Sequence, residues 1–137
     1  MHLIVNSADE LPIYRQIMRQ IIEAIAGGRL KPRDRLASHR ELSEQLVIAP
    51  LTVKKAYDEL EAQGYIETQR GRGTFVSAHL PEPDPADQAS HLQESARRLL
   101  AQAYLAGLTL AETIRLLREA DRQLTEGPSV AHEKESR

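Results

Sequence analysis

The 137-residue sequence predicts a mainly α-helical fold that carries one small β-hairpin. Three observations predict it. Apolar side chains recur at helical spacing in several separate stretches. Two short β-prone runs flank an Arg-Gly-Arg tip. Alternating prolines at Pro81, Pro83 and Pro85 set a longer N-terminal part apart from a C-terminal pair of helices.

Each element has its own local signal. Ile13, Ile17, Ile21 and Ile25, with Met18 and Ile22 beside them, form one helical stripe over 12–26. Pro12 suits the first turn, and Gly27-Gly28 stops the helix. Residues 30–36 read as a turn followed by a short extended piece. Ser38-His39-Arg40-Glu41 is a capping box that starts a second helix over 38–45, burying Leu42 and Leu46. After the connector Val47-Ile48-Ala49, Pro50 opens a third helix that runs to Gln63 and ends at Gly64. Its core stripe is Val53, Ala56, Tyr57 and Leu60, and its other face shows Leu51, Thr52, Lys54, Lys55, Asp58 and Glu59. Residues 65–68 and 73–76 are strands of a hairpin around Gln69-Arg70-Gly71-Arg72.

Residues 78–90 are expected to form a stiff, extended linker. Leu92, Ala96, Leu99, Leu100 and Ala103 then mark a fourth helix ending near Gly107. Thr109-Leu110-Ala111-Glu112 is a second capping box, and Leu110, Ile114, Leu117, Ala120 and Leu124 line the last helix. The expected organisation is therefore a domain over 1–77, a linker over 78–90, a helical domain over 91–126 and a polar tail over 127–137.

Composition excludes several functions. Without cysteine there is no disulfide scaffold, thiolate metal site or thiol nucleophile. His2, His39, His79, His91 and His132 lie in five different segments without metal-ligand spacing, so neither metal nor other cofactor is expected. No Ser-His-Asp arrangement stands out, and an enzyme is not expected. Gly71-Arg72-Gly73 lacks the third glycine, the Gly-Lys-Ser/Thr and the following helix of a phosphate loop. No apolar run approaches the roughly 18 residues of a membrane span. The N-terminus shows no secretory signal, so the expected location is the cytoplasm.

Charge is uneven. The whole chain has a formal net charge of −2. Residues 29–72 nevertheless hold nine Lys/Arg against seven acids, while 78–137 hold seven against ten. The order helix, short strand, helix, tight turn, helix, hairpin is that of a winged helix-turn-helix. A helix fits the DNA major groove with its N-terminal residues towards base edges, and an arginine-bearing wing can reach the backbone or minor groove. The C-terminal part reads as an antiparallel helical hairpin.

Residues 30–42, Leu51-Thr52-Val53-Lys54-Lys55-Ala56-Tyr57-Asp58-Glu59-Leu60-Glu61, Gly64-Tyr65-Ile66-Glu67 and Gly71-Arg72-Gly73-Thr74-Phe75-Val76 closely resemble the GntR family of bacterial transcription regulators. The short two-helix tail resembles its YtrA subfamily. The resemblance implies binding of double-stranded DNA by Arg40, Thr52 and Lys54 and by the wing at Arg70-Gly71-Arg72. It also implies a repressor, commonly of its own operon with transporter genes, and assigns no particular effector. Helical geometry adds Lys55, which points away from the core stripe, and Leu51 on the same exposed face, which can equally meet a thymine methyl or pack against the second helix. Ser38 joins them at the start of the second helix. The chain departs from the family at Arg33, where Gly is usual, at Ala37, where Pro is frequent, and at Ala49-Pro50, where many members have Ser/Thr followed by Arg or Asn.

The apolar stripes of Leu92, Leu99, Leu100, Ile114, Leu117 and Leu124 cannot all be covered within one hairpin. They imply a homodimer, rather than a membrane-surface helix, and hence an inverted-repeat operator. The rival reading is a winged-helix protein-interaction module without specific DNA recognition. Ala49-Pro50 and the net negative charge are its best arguments.

Overall fold

The computed structural model describes residues 2–127. Apart from Gly127, the tail expected over 127–137 lies outside the described residues. The elements are α1 (Ile13–Ala26), β1 (Arg35–Leu36), α2 (His39–Leu46), α3 (Pro50–Ala62), β2 (Ile66–Gln69), β3 (Gly73–Val76), α4 (Pro85–Leu105) and α5 (Leu110–Glu126). Among the described residues they fall into two compact units, one built on residues 2–81 together with 124–127, the other spanning Glu82–Gln123.

The first unit has α1, α2 and α3 around one apolar core beside a three-stranded antiparallel sheet of order β1-β3-β2. Ile17 and Ile21 of α1, Val53 and Leu60 of α3 and Val76 of β3 are fully buried. The α1 stripe is thus turned inward as its spacing predicts, although Ile13, Ile22 and Ile25 are only partly buried. Pro12 precedes α1 as its cap residue instead of sitting in the first turn. Gly64, with φ +89°, closes α3. Only glycine adopts such a φ without steric cost.

The hairpin forms in the register Ile66↔Val76, Thr68↔Thr74 and Gln69↔Gly73. The extended piece at 35–36 is its third strand, pairing Arg35 with Phe75 and Leu36 with Thr74. Two backbone bonds continue that pairing, Arg33 N–H to Val76 O at 2.9 Å and Val76 N–H to Asp34 O at 2.8 Å. The turn before β1 holds Arg33 at φ +73°, which accounts physically for the glycine usual at this position.

A segment without periodicity is also fixed. Gln16, buried in α1, donates to the carbonyls of Asn6 and Leu11, each at 2.8 Å, and accepts from the Asn6 amide at 2.8 Å. Gln20 exchanges two bonds with the backbone of Ile4. Leu3 is thereby held in the core.

The second unit corrects the expected linker. Helix α4 starts at Pro85, so residues 85–90 are helical and not extended. The Asp84 carboxylate accepts from the Ala86 amide at 2.8 Å, and Pro85 stands where the first helical turn has no use for an N–H. Gly107, at φ +86°, turns the chain. The second capping box then forms as predicted, Glu112 N–H to Thr109 Oγ1 at 3.1 Å and Thr109 N–H to Glu112 Oε1 at 2.9 Å.

Candidate nucleic-acid interface

The site begins with the entry to α2. Glu41 N–H donates to Ser38 Oγ at 3.1 Å, and Ser38 N–H donates to Glu41 Oε1 at 3.2 Å. The Ser38 amide and then its hydroxyl hold the Glu41 carboxyl below the usual glutamate range. Ser38 is therefore a cap in the unbound chain. Arg40, in the same first turn, is exposed, and among the described residues it forms no ion pair with Glu44.

A buried phenol connects this turn to α3. Tyr57 Oη donates to the Ala37 carbonyl at 2.7 Å, bridging the residue before the Ser38 cap to the middle of the third helix. Burial, with a smaller contribution from the Glu41 charge, raises the Tyr57 pKa well above its ordinary value. The hydroxyl stays protonated and keeps its role as donor. A carbonyl and a phenol that would each be costly to bury alone thus satisfy one another.

Helix α3 presents its first turns outward. Leu51, Lys54 and Lys55 are exposed, Thr52 is half-buried, and the stripe Val53, Ala56, Tyr57 and Leu60 is buried. Ala49 offers no side-chain cap and Pro50 occupies the first turn. Lys54 Nζ lies 2.8 Å from Asp58 Oδ2, an exposed i,i+4 pair of the kind that contributes little and exchanges readily for a phosphate. Lys55 lies opposite the buried stripe, and its ammonium also sits 4.3 Å from the centroid of the Tyr14 ring on α1, which engages it within the chain. The ring's negative face attracts the cation. Helical spacing could not reveal this, because Tyr14 lies on another helix.

At the wing, Arg70, Gly71 and Arg72 are exposed at the hairpin tip. Arg35 on β1 is a basic residue that the sequence reading left out. It is exposed, and its Nε lies 3.3 Å from where a Cβ on Gly73 would stand. Its guanidinium therefore passes over the glycine at the base of the wing. The alternation Arg35 out, Leu36 in was the available signal, but it spans two residues only.

In the second unit, Leu92, Leu99, Leu100, Ile114 and Leu117 line a groove of about 370 Å³ together with Ser95, Ala96, Leu110 and Thr113. Leu124, expected to belong with them, does not line it and groups with the first unit. Among the described residues, no group of His, Asp and Glu could hold a metal ion, and no helix is long and apolar enough to cross a membrane.

Three helices, a short third strand pairing with the hairpin, and an arginine-tipped wing define a winged helix-turn-helix regulator with a helical C-terminal part. Residues 13–76 match the family described as bacterial regulatory proteins, gntR family. The chain is 36% identical over 115 residues to the HTH-type transcriptional repressor YtrA of Bacillus subtilis (strain 168), covering 84% of this chain and 88% of that protein. Among solved structures it is similar to a transcriptional antiterminator from Listeria monocytogenes EGD-e, with TM-score 0.74, 28% identity, and coverage of 95% of this chain and 97% of the other. It is also similar to YtrA from Sulfolobus acidocaldarius, a GntR-family transcription factor, with TM-score 0.54, 32% identity, and coverage of 85% and 94%. The chain belongs to the GntR family. It is a transcription regulator with a DNA-binding domain, not an enzyme.

Proposed function

We propose that this chain is a cytoplasmic homodimeric repressor that binds an inverted-repeat operator and controls its own operon together with transporter genes. Arg40, Thr52, Lys54, Arg70 and Arg72 would contact DNA, with Arg35 added to them and Lys55 in a supporting role. The name of the Bacillus subtilis relative supports repression. The observation that carries the dimer is the bareness of α4. Of its 21 residues only Ala103 is buried, although Leu92 and Leu99 lie on its groove side. A helix draws most of its stability from packing an apolar face, so one this uncovered calls for a partner. A second copy is the commonest closed solution.

Duplexes selected from a random-sequence library by the full chain should share an inverted repeat with half-site centres about one helical turn apart. The wild type should sediment as a dimer at micromolar concentration. Leu117→Glu places a charge in the groove and should yield a folded monomer whose operator affinity falls on the order of a hundredfold or more, since the second half-site no longer benefits from linkage. A monomeric wild type, or a variant that binds like wild type, would remove the dimer. Failure to select any duplex would favour the protein-interaction module, for which the apolar Ala49-Pro50 start of α3 speaks.

A further inference from the structure

Among the described residues, the two most exposed large apolar residues of the first unit flank a single turn. Val47 is 88% exposed and Leu51 is 77% exposed. Between them lie Ile48, Ala49 and Pro50, so no side chain from 47 to 51 carries a hydrogen-bond donor. Pro50 also lacks an amide hydrogen. Val47 is held at φ +54°, ψ +53°, a left-handed conformation that a β-branched residue rarely adopts. Backbone strain of this kind concentrates at functional positions. An exposed, strained valine beside an exposed leucine has no use in the core.

The place of this edge in the fold restricts what can cover it. It lies at the turn into α3, the helix whose N-terminal residues face base edges in a helix-turn-helix, and is continuous with Thr52 and Lys54. The major-groove edges of the bases are polar except at one group, the C5-methyl of thymine. We propose that Leu51 and Val47 read thymine methyl groups in the major groove, so that each half-site carries T·A pairs opposite the start of α3. Specificity there comes from apolar contact, and the polar contacts are left to Arg40, Thr52 and Lys54. This inference rests on the DNA-binding reading above.

The test uses the full chain and a duplex it selects from a random-sequence library. Each deoxythymidine is replaced in turn by deoxyuridine, which removes the methyl group and leaves base pairing intact. One or two thymines per half-site should lose about three- to fivefold in wild-type affinity on replacement, the factor expected for one buried methyl-sized group. Leu51→Ala should bind the thymine and uracil duplexes alike at one of those positions, with its salt dependence unchanged because the phosphate contacts remain. Both side chains are exposed, so the variants should fold, and a thermal melt checks it. Wild-type indifference to every uracil, or full methyl sensitivity retained in both Leu51→Ala and Val47→Ala, would overturn the proposal. Selection of no duplex at all would overturn the DNA-binding reading along with it. Indifference to uracil in a selected operator would overturn this inference alone and would leave the edge as a protein-docking surface.

Discussion

Arg40 and Lys55 carry the same charge but are differently engaged. Arg40 is exposed and without an ion-pair partner among the described residues. Lys55 has its ammonium over the Tyr14 ring. Arg40→Ala should therefore cost on the order of 1–3 kcal/mol of operator binding and leave folding stability unchanged, if it reaches base edges. Lys55→Ala should do the reverse, lowering stability by about 0.5–1 kcal/mol with a small effect on binding. Fluorescence-anisotropy titration and urea unfolding of both variants separate the two quantities. A Lys55→Ala variant that binds tenfold more weakly with unchanged unfolding would return Lys55 to the base-reading group. The role given to Arg40 came from the resemblance of residues 30–42 to the GntR family, and the structure adds that the side chain is exposed. The partner of Lys55 was not legible in the sequence, since the contact joins residues 41 positions apart on different helices.

Among the elements, the wing makes the sharpest demand on residue type. Gly71 and Gly73 both have positive φ, +77° and +123°, but their surroundings differ. A Cβ on Gly71 would meet open space, whereas one on Gly73 would crowd the Arg35 guanidinium. Gly71→Ala should cost about 1–2 kcal/mol of stability, the ordinary penalty of the left-handed region. Gly73→Ala should cost more, about 2–3 kcal/mol, because its φ lies outside even that region, and it should displace Arg35 as well. Denaturant midpoints of the two variants give the order, and equal losses would contradict it. The hairpin itself was legible because its turn chemistry is local. The short extended piece at 35–36 was legible too, but its pairing as a third strand was not, because Arg35 and Phe75 are 40 positions apart. The start of α4 was misread for a related reason. Alternating prolines signal extension, and the competing signals, the Asp84 cap and Pro85 in the first turn, are confined to two residues.

For the molecule as a whole, net charge is a poor guide to its partner. The chain totals −2, yet the proposed interface is basic and the surplus acid lies elsewhere. Operator binding should weaken steeply with salt, with a slope of log K against log salt of roughly −4 to −8 for a dimer, about −0.9 per neutralised phosphate. Titrations between low and physiological salt measure it, and a slope near zero would remove the phosphate contacts. The two-part reading rested on the proline stretch and the apolar stripes, whereas the second compact unit runs over Glu82–Gln123 and takes in the expected linker from Glu82 on. The bareness of α4 was foreseen only as a pattern, because a stripe shows which residues want cover and not how little of it one chain supplies.

The bond between Tyr57 and the Ala37 carbonyl has a consequence for how such a regulator changes over time. It fixes the seating of α3 through a residue on the buried side, together with Val53, Ala56 and Leu60, and none of these four reaches the outer face. On the DNA-binding reading proposed above, foldability and target choice are thus written on opposite sides of one helix. Positions 51, 52 and 54 can drift, duplicate and diverge while the scaffold that aims them stays the same. A lineage could move to new promoters by exchanging a few outward side chains, and an engineer could do the same by randomising them.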